Sequence, residues 1–457
     1  MQARTIVITG GGFSGSIVAA QLLRRSRTPT RVVLFERNGE PGGGVAYGAA
    51  GDGHLLNVPA GRMGAWPDAV DDFYRWVRTL VGFADVGPGE FLPRRIFEAY
   101  IRHCLREAQR RAGPDVVLEQ RRAEVFDIEE LSSGGARVFA SDVKPVDADH
   151  VVLALGNLPG EYPLRKPLPF YHGPRYVHAP WSRGALDSIE RDDEILLVGQ
   201  GLTAVDIILS LEGRGHRGVI HALSRRGLRP LAHQACEPYP RFLEPTTEDL
   251  TIRGLLRRVR MEVRSAAARG IDWRGVVDSL RSNTQALWLR LPHEERARFL
   301  RHLRPYWEVH RHRIAPKAHQ RLEALLAAGR VLQYAGRVEA LVDEETHAAV
   351  TVRRRKTGEL LSLRVAKVIN CTGPRSDYTK YQHPLLVNLL ARGLIDHDPL
   401  TLGLATTPEG EVLRYQGGPV GWLSTLGPPM RGVLWECSAV PEIRIQAEVL
   451  AQRLLCR

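Results

Sequence analysis

The sequence predicts an α/β protein built in two similar halves, and three observations carry that reading. A buried-strand pattern at residues 5–9 runs straight into a glycine turn and the start of a helix. The same succession restarts at residues 194–211. Each half then closes on a short apolar strand that ends in glycine, at residues 150–156 and 367–373. Strands alternating with helices favour a parallel sheet, and the repetition makes it two sheets.

The first turn is Gly10-Gly11-Gly12-Phe13-Ser14-Gly15, a G-x-G-x-x-G pattern. Gly10 permits the tight turn, Gly12 lets backbone approach a pyrophosphate, and Gly15 lets helix and strand pack closely. The helix start directs unpaired N–H groups and a positive dipole end at that anion. Residues 31–35 read as the next strand, and Glu36 closes it 21 positions after Gly15, with Arg37 following. A carboxylate there suits ribose hydroxyls. A glycine turn alone is found in any parallel α/β domain. Strand, turn, helix, strand and acid in order point to a dinucleotide with an unphosphorylated ribose, as in FAD or NAD.

A chain of 457 residues implies two or three domains, and 44% hydrophobic content supports a sizeable core. No apolar run approaches about 18 residues, so no membrane span is expected. The first strand begins at Thr5, which leaves no room for a signal peptide. The five cysteines are scattered and none forms C-x-x-C, so neither a zinc site nor a local disulfide is expected. A cytoplasmic protein with reduced thiols follows as an expectation. The net charge of +12 is mostly arginine, much of it between Arg253 and Arg321. Basic clefts for cofactors and substrate rank above nucleic acid here, and a solvated basic surface stands beside them.

Between the two turns lie several further signals. Residues 38–48, with Gly44 and Val45, are too glycine-rich for a stable helix or strand and suit a loop lying against a flat ligand. His54 and Asn57 are polar handles beside an apolar run, suited either to a flavin ring or to satisfying loop backbone. Helices are expected at 68–80 and 96–111, strands at 116–126 and 136–140, and a proline-rich linker at 159–180.

The second turn, Gly199-Gln200-Gly201-Leu202-Thr203-Ala204, is a G-x-G-x-x-A pattern. The strand after it ends in Ser224-Arg225-Arg226 where the first copy has Glu36. Guanidinium forks hold a 2′-phosphate that a carboxylate would repel, so this site prefers NADPH. A helical insertion follows at about 249–328. Its run of basic and titratable residues at 307–313 reads equally as an anion-binding edge or a wet helix end. Strands at 331–342, 349–356 and 360–365 form a meander. A late strand at 421–427 and a helix at 441–455, with Pro441 at its start, are expected to return to the first domain. The expected domains are therefore an FAD-binding domain at 1–185 and 375–457, and an NADPH-binding domain at 190–374.

Two fingerprints, an acid after the first and arginines after the second, resemble the two-dinucleotide flavoproteins, which include glutathione-reductase-like enzymes and class B flavin monooxygenases. More narrowly, nearly the whole chain resembles the FAD-NAD(P)-binding, YdhS-like family. The blocks concerned are Gly44-Val45-Ala46-Tyr47, His54-Leu55-Leu56-Asn57-Val58-Pro59-Ala60, Gly199-Gln200-Gly201-Leu202-Thr203-Ala204-Val205-Asp206, Ser224-Arg225-Arg226-Gly227-Leu228 and Leu434-Trp435-Glu436-Cys437-Ser438-Ala439-Val440-Pro441-Glu442-Ile443-Arg444. The resemblance implies two Rossmann-like domains of the glutathione-reductase type binding FAD and NADPH. It is specific for fold and cofactors rather than for one reaction. Some relatives are N-hydroxylating monooxygenases. The implied activity is thus an NADPH-dependent FAD monooxygenase acting with O₂, through a C4a-hydroperoxyflavin, on a small amine, thioether or acidic amino acid. Two alternatives stand: an FAD oxidoreductase passing NADPH electrons to a small molecule, quinone or protein, and a flavin-bearing interaction protein with a basic docking face.

Three departures limit the resemblance. Phe170, Gly173, His178 and Trp181 echo the Baeyer–Villiger fingerprint with wrong gaps. The absent C-x-x-C argues against a dithiol reductase. The late Gly-Asp is missing, because Gly427 is followed by Pro428. No catalytic side chain or metal ligand is singled out, and the oligomeric state is left open.

Overall fold

The computed structural model describes residues 3–48, 53–244 and 250–456. Among these the chain divides into two compact units, one of residues 1–50, 58–158 and 376–457, the other of residues 51–57 and 159–375.

The first unit opens with β1 (Arg4–Thr9), α1 (Phe13–Arg25) and β2 (Thr30–Phe35). Then come α2 (Gly44–Tyr47), α3 (Asp72–Val77), α4 (Arg94–Arg111), β3 (Val116–Arg121), β4 (Val125–Glu130), β5 (Ala136–Ala140), β6 (Val146–Ala148) and β7 (His150–Leu153). β1 pairs in parallel with β2 on one side and β7 on the other, and β3 extends the sheet beyond β2. Ile6, Val7 and Ile8 are fully buried, as a central strand covered on both faces requires. α1 is buried from Phe13 to Leu23 and packs against α4. β4, β5 and β6 form a separate antiparallel sheet.

The second unit runs through β8 (Tyr176–Val177), β9 (Ile195–Val198), α5 (Leu202–Gly213) and β10 (Ile220–Ser224). Six insertion helices follow: α6 (Ile252–Ala268), α7 (Trp273–Ser279), α8 (Thr284–Arg290), α9 (His293–His302), α10 (Arg304–Arg311) and α11 (Pro316–Ala327). β11 (Val331–Asp343), β12 (Ala348–Arg354), β13 (Leu360–Val365) and β14 (Lys367–Asn370) complete it. The sheet order is β13-β12-β11-β10-β9-β14-β8. β11 pairs in parallel with β10 over its first half and antiparallel with β12 over its second.

The chain then returns to the first unit with α12 (Pro384–Ala391), β15 (Glu411–Leu413), β16 (Pro419–Thr425) and α13 (Val440–Cys456). β16 lies parallel to β7, and α13 packs on α1. In both sheets the fingerprint strand is flanked by the next strand on one side and by the closing strand on the other. The strand order therefore reverses beside each glycine turn, which is where open α/β sheets bind ligands. The expected class, α/β with two Rossmann-like domains and a helical insertion, holds.

Several expectations need correction. The first boundary falls at 158 rather than 185, because Tyr176 and Val177 pair with Val368 and Ile369 on the edge of the second sheet. The glycine-rich stretch does contain one helical turn, α2, closed by N–H bonds from Tyr47 to Gly43 and Gly48 to Gly44 at 3.1 Å each. The helix expected at 68–80 shrinks to α3. A Trp66–Ala69 bridge and a Gly64-to-Val70 hydrogen bond occupy the preceding backbone. The strand expected at 116–126 splits into β3 and β4, because the chain leaves the parallel sheet there for the antiparallel one. Residue 249, the expected start of the insertion, lies outside the described residues, and the helices begin at Ile252.

Candidate functional site

The first fingerprint stands where β1 gives way to α1. Gly10 has φ +102°, and a Cβ there would lie 2.5 Å from the Ala154 carbonyl oxygen just beyond β7. At Gly15 a Cβ would fall 1.9 Å from the Gly10 carbonyl oxygen, so only glycine lets helix and turn cross. Gly12 differs: an added Cβ would meet only Gly44, whose Cα is 3.4 Å away. The bare backbone of Gly12 thus bounds a cradle instead of filling a contact. Gly12 caps α1 without any side-chain hydrogen bond, which leaves the first helical N–H groups available to an anion.

Glu36 is buried at the end of β2. Its two oxygens accept the backbone N–H groups of Gly11 at 2.9 Å and Asn38 at 2.8 Å. Each oxygen keeps a second acceptor position, enough for ribose hydroxyls. Gly427, at φ +72°, follows β16 and comes so close to α1 that a Cβ would lie 3.1 Å from the Ser14 hydroxyl. Its N–H donates to Gln446 Oε1 at 2.7 Å, and its carbonyl accepts the Cys437 thiol at 3.1 Å. These bonds fix the late turn over the helix start.

The second fingerprint repeats this construction. Gly199 has φ +121°, and a Cβ would lie 2.0 Å from the Cys371 carbonyl oxygen just past β14. Gly201 has nothing within 4 Å of an added Cβ and caps α5 without a side chain. Leu202 and Thr203 are half-buried in the first helical turn, and Ala204 is buried beneath them. The Ser224 hydroxyl donates to Gln200 Oε1 at 3.2 Å and accepts the Gly227 N–H at 3.0 Å, which shapes the turn carrying the arginines.

Positive charge gathers on that turn. Burial, then the guanidinium groups of Arg304 and Arg337, lower the Arg225 pKa from its ordinary value. Arg226 lies 5.1 Å over the Tyr306 ring. Arg355 donates to the Arg225 carbonyl at 3.2 Å. The acid acting there, Glu308, is bonded to Arg304 at 2.7 Å. A crowd of guanidinium groups with so little matching negative charge is arranged for an anion.

Residues 7–158 match the family model described as FAD-NAD(P)-binding. The full chain has the fold of ornithine hydroxylase from Pseudomonas aeruginosa, at 16% identity, TM-score 0.65, covering 100% of this chain and 99% of that one. It has equally the fold of a cadaverine monooxygenase from Erwinia amylovora, at 14% identity, TM-score 0.66, covering 100% of this chain and 95% of that one. Thioredoxin reductase from Lactococcus lactis is a more distant match, at 13% identity and TM-score 0.52, covering 99% of this chain and 97% of that one. At these identities the likeness shows the fold. No curated protein sequence matches the chain.

Around the first glycine turn the structure gathers Gly10, Gly12, Ser14, Gly15, Glu36 and Gly44. Phe13 is buried and its ring stands 5.7 Å from that of Phe97, a packing role. Arg37 turns away from Glu36 to an ion pair with Glu124 at 2.7 Å. Val45 is largely exposed. His54 and Asn57 belong to the second unit. The His54 ring is buried against α5, where Nε2 meets the Asp206 carbonyl at 3.2 Å and the Ser210 hydroxyl. The Asn57 carbonyl meets His233 Nε2 at 2.9 Å. Sequence reasoning missed Arg304 and Arg337 beside the second site. Arg337 is exposed on β11, where alternation alone could have exposed it, but nothing local tied it to Arg225.

Proposed function

We propose that this chain is a cytoplasmic NADPH-dependent FAD monooxygenase that oxygenates a small amine. In this reading the first unit binds FAD and the second binds NADPH. One contrast carries it: a buried acid follows the first fingerprint and an arginine cluster follows the second. One site suits a plain ribose and the other a 2′-phosphorylated ribose. Solved structures sharing the fold over nearly the whole chain include an ornithine hydroxylase, a cadaverine monooxygenase and an L-lysine 6-monooxygenase, which supports an amine as substrate.

When bound, FAD supplies hydride acceptance from NADPH and activation of O₂. The chain's own residues bind and orient. Gly12 and the N–H groups opening α1 receive one pyrophosphate, and Glu36 holds ribose hydroxyls while bracing Gly11. Gly201 and the start of α5 receive the other pyrophosphate, and Arg225, Arg226 and Arg337 read the 2′-phosphate. No protein nucleophile is required.

A second reading, an NADPH oxidoreductase without oxygen transfer, draws on the fold shared with thioredoxin reductase. The two separate by isotope. With ¹⁸O₂, NADPH and an amine panel, the monooxygenase incorporates label into product in step with NADPH oxidation. Amine-independent NADPH oxidation that returns all the oxygen as hydrogen peroxide would overturn the proposal in favour of the oxidoreductase.

A further inference from the structure

We propose that the second unit contains a carboxylate-binding site centred on Arg313. Arg313 follows α10 and is 2% exposed. Asp278, near the end of α7, accepts from one terminal nitrogen, Nη2. Its Nε and Nη1 are buried and have no acceptor among the described residues. A buried guanidinium with donors unmet is costly, since it has left water without replacing its hydrogen bonds. An arrangement that tolerates this in the free protein is completed by an anion.

The surroundings fit a monoanion. Residues 231–233 run alongside Ile314: the His233 N–H donates to the Ile314 carbonyl, and the Ile314 N–H to the Leu231 carbonyl, at 2.9 Å each. That pairing holds the His233 ring beside Arg313, with its Nε2 on the Asn57 carbonyl at 2.9 Å. Burial, and next Arg313, keep this imidazole neutral near neutral pH. Arg311 adds a further positive influence on it. Of the two nearby acids, Asp272 is taken by Arg274, whose Nη1 lies 3.1 Å away, and Asp278 is already on Arg313. The Trp273 ring, 6.0 Å from the Arg313 guanidinium carbon, forms an apolar wall. With Asp278 already on Arg313, a phosphate dianion would meet stronger repulsion there than a singly charged carboxylate. The ligand class is therefore a small molecule with a single carboxylate. The site also gives the 307–313 run its anion-binding part.

The test uses the FAD-loaded protein and pairs of probes that differ only in the carboxylate: L-lysine with cadaverine, and L-ornithine with putrescine, beside the common amino acids. Thermal shift and calorimetry read binding directly. At least one amino acid should bind and raise the melting temperature, with its decarboxylated counterpart about tenfold weaker or worse. Arg313→Met should erase that difference. If that variant misfolds, Arg313→Lys keeps the charge, lacks the planar fork, and should bind the same acid about tenfold more weakly. Binding of no carboxylate, or equal binding by wild type and variants, overturns the site. Amine-dependent ¹⁸O incorporation is measured in parallel. Label lost with carboxylate binding intact refutes the monooxygenase reading alone, and label retained with no carboxylate preference refutes the site alone.

Discussion

The Glu36 carboxylate accepts the Gly11 N–H at 2.9 Å, so the acid that ends β2 is tied into the glycine turn that ends β1. Its other oxygen takes the Asn38 N–H at 2.8 Å. One side chain therefore braces two loops and keeps a second acceptor position on each oxygen. Glu36→Ala would strip both bonds from a buried site, at about 2 kcal/mol for charge-assisted bonds. The variant should melt at lower temperature and emerge from purification with most of its FAD lost. Flavin absorbance per protein equal to wild type would show that Glu36 does not hold the ribose.

Gly12 and Gly15 separate folding from binding. A Cβ at Gly15 would overlap the Gly10 carbonyl at 1.9 Å, and no nearby side chain could give way. Gly15→Ala should therefore unfold the first unit or yield insoluble protein. At Gly12 an added Cβ reaches only Gly44 Cα, at 3.4 Å. Gly12→Val should fold, with circular dichroism like the wild type, yet be colourless because its methyl groups fill the pyrophosphate approach. A yellow Gly12→Val protein would remove the turn from the cofactor site.

How much of this was legible beforehand depended on range. The fingerprints, the flanking strands and the closing strands at Ala154 and Cys371 were readable because each is a local pattern of glycine and apolar residues. The placement of His54 was not. Its neighbours in sequence left a flavin-facing ring and a backbone-satisfying ring both open, and its partners, the Asp206 carbonyl and the Ser210 hydroxyl, lie about 150 positions onward. The partner of Arg37 was not legible either, because Glu124 lies 87 residues away. Arg304 and Arg337 come to Arg225 from an insertion helix and a later strand, and no spacing rule connects them. Helix α3 was overextended because a backbone bridge at Trp66 outcompeted a good amphipathic pattern.

Arg225 and Arg226 should discriminate between the nicotinamide cofactors. Guanidinium groups beside a 2′-phosphate contribute to NADPH binding and have no counterpart contact on NADH. Arg225→Ala with Arg226→Ala should weaken NADPH by about a hundredfold and NADH by about threefold or less, from two lost charge-assisted contacts. Arg337→Ala alone, remote in sequence, should show the same bias at about tenfold. Stopped-flow reduction at varied NADPH and NADH gives the constants. Equal losses for both cofactors would place the 2′-phosphate elsewhere.

His233 should make the second unit acid-labile. Its ring is pushed down to about 4 by burial, and then by Arg313, against the stabilising Asn57 carbonyl and Asp278 and the further opposing charge of Arg311. In the unfolded chain histidine titrates near 6.5. Above about pH 6.5 the ring is neutral in both states and its contribution to stability is complete. As pH falls from about 6.5 toward 4, the unfolded state binds a proton that the folded state refuses. Stability therefore declines, by about 2 kcal/mol at pH 5, and the decline ends near pH 4. His233→Gln keeps a donor for the Asn57 carbonyl and removes the titration. Urea unfolding of the second-unit transition at pH 7 and pH 5 should show a drop in wild type that the variant lacks in large part. An equal drop in both proteins would assign the acid sensitivity to groups other than His233.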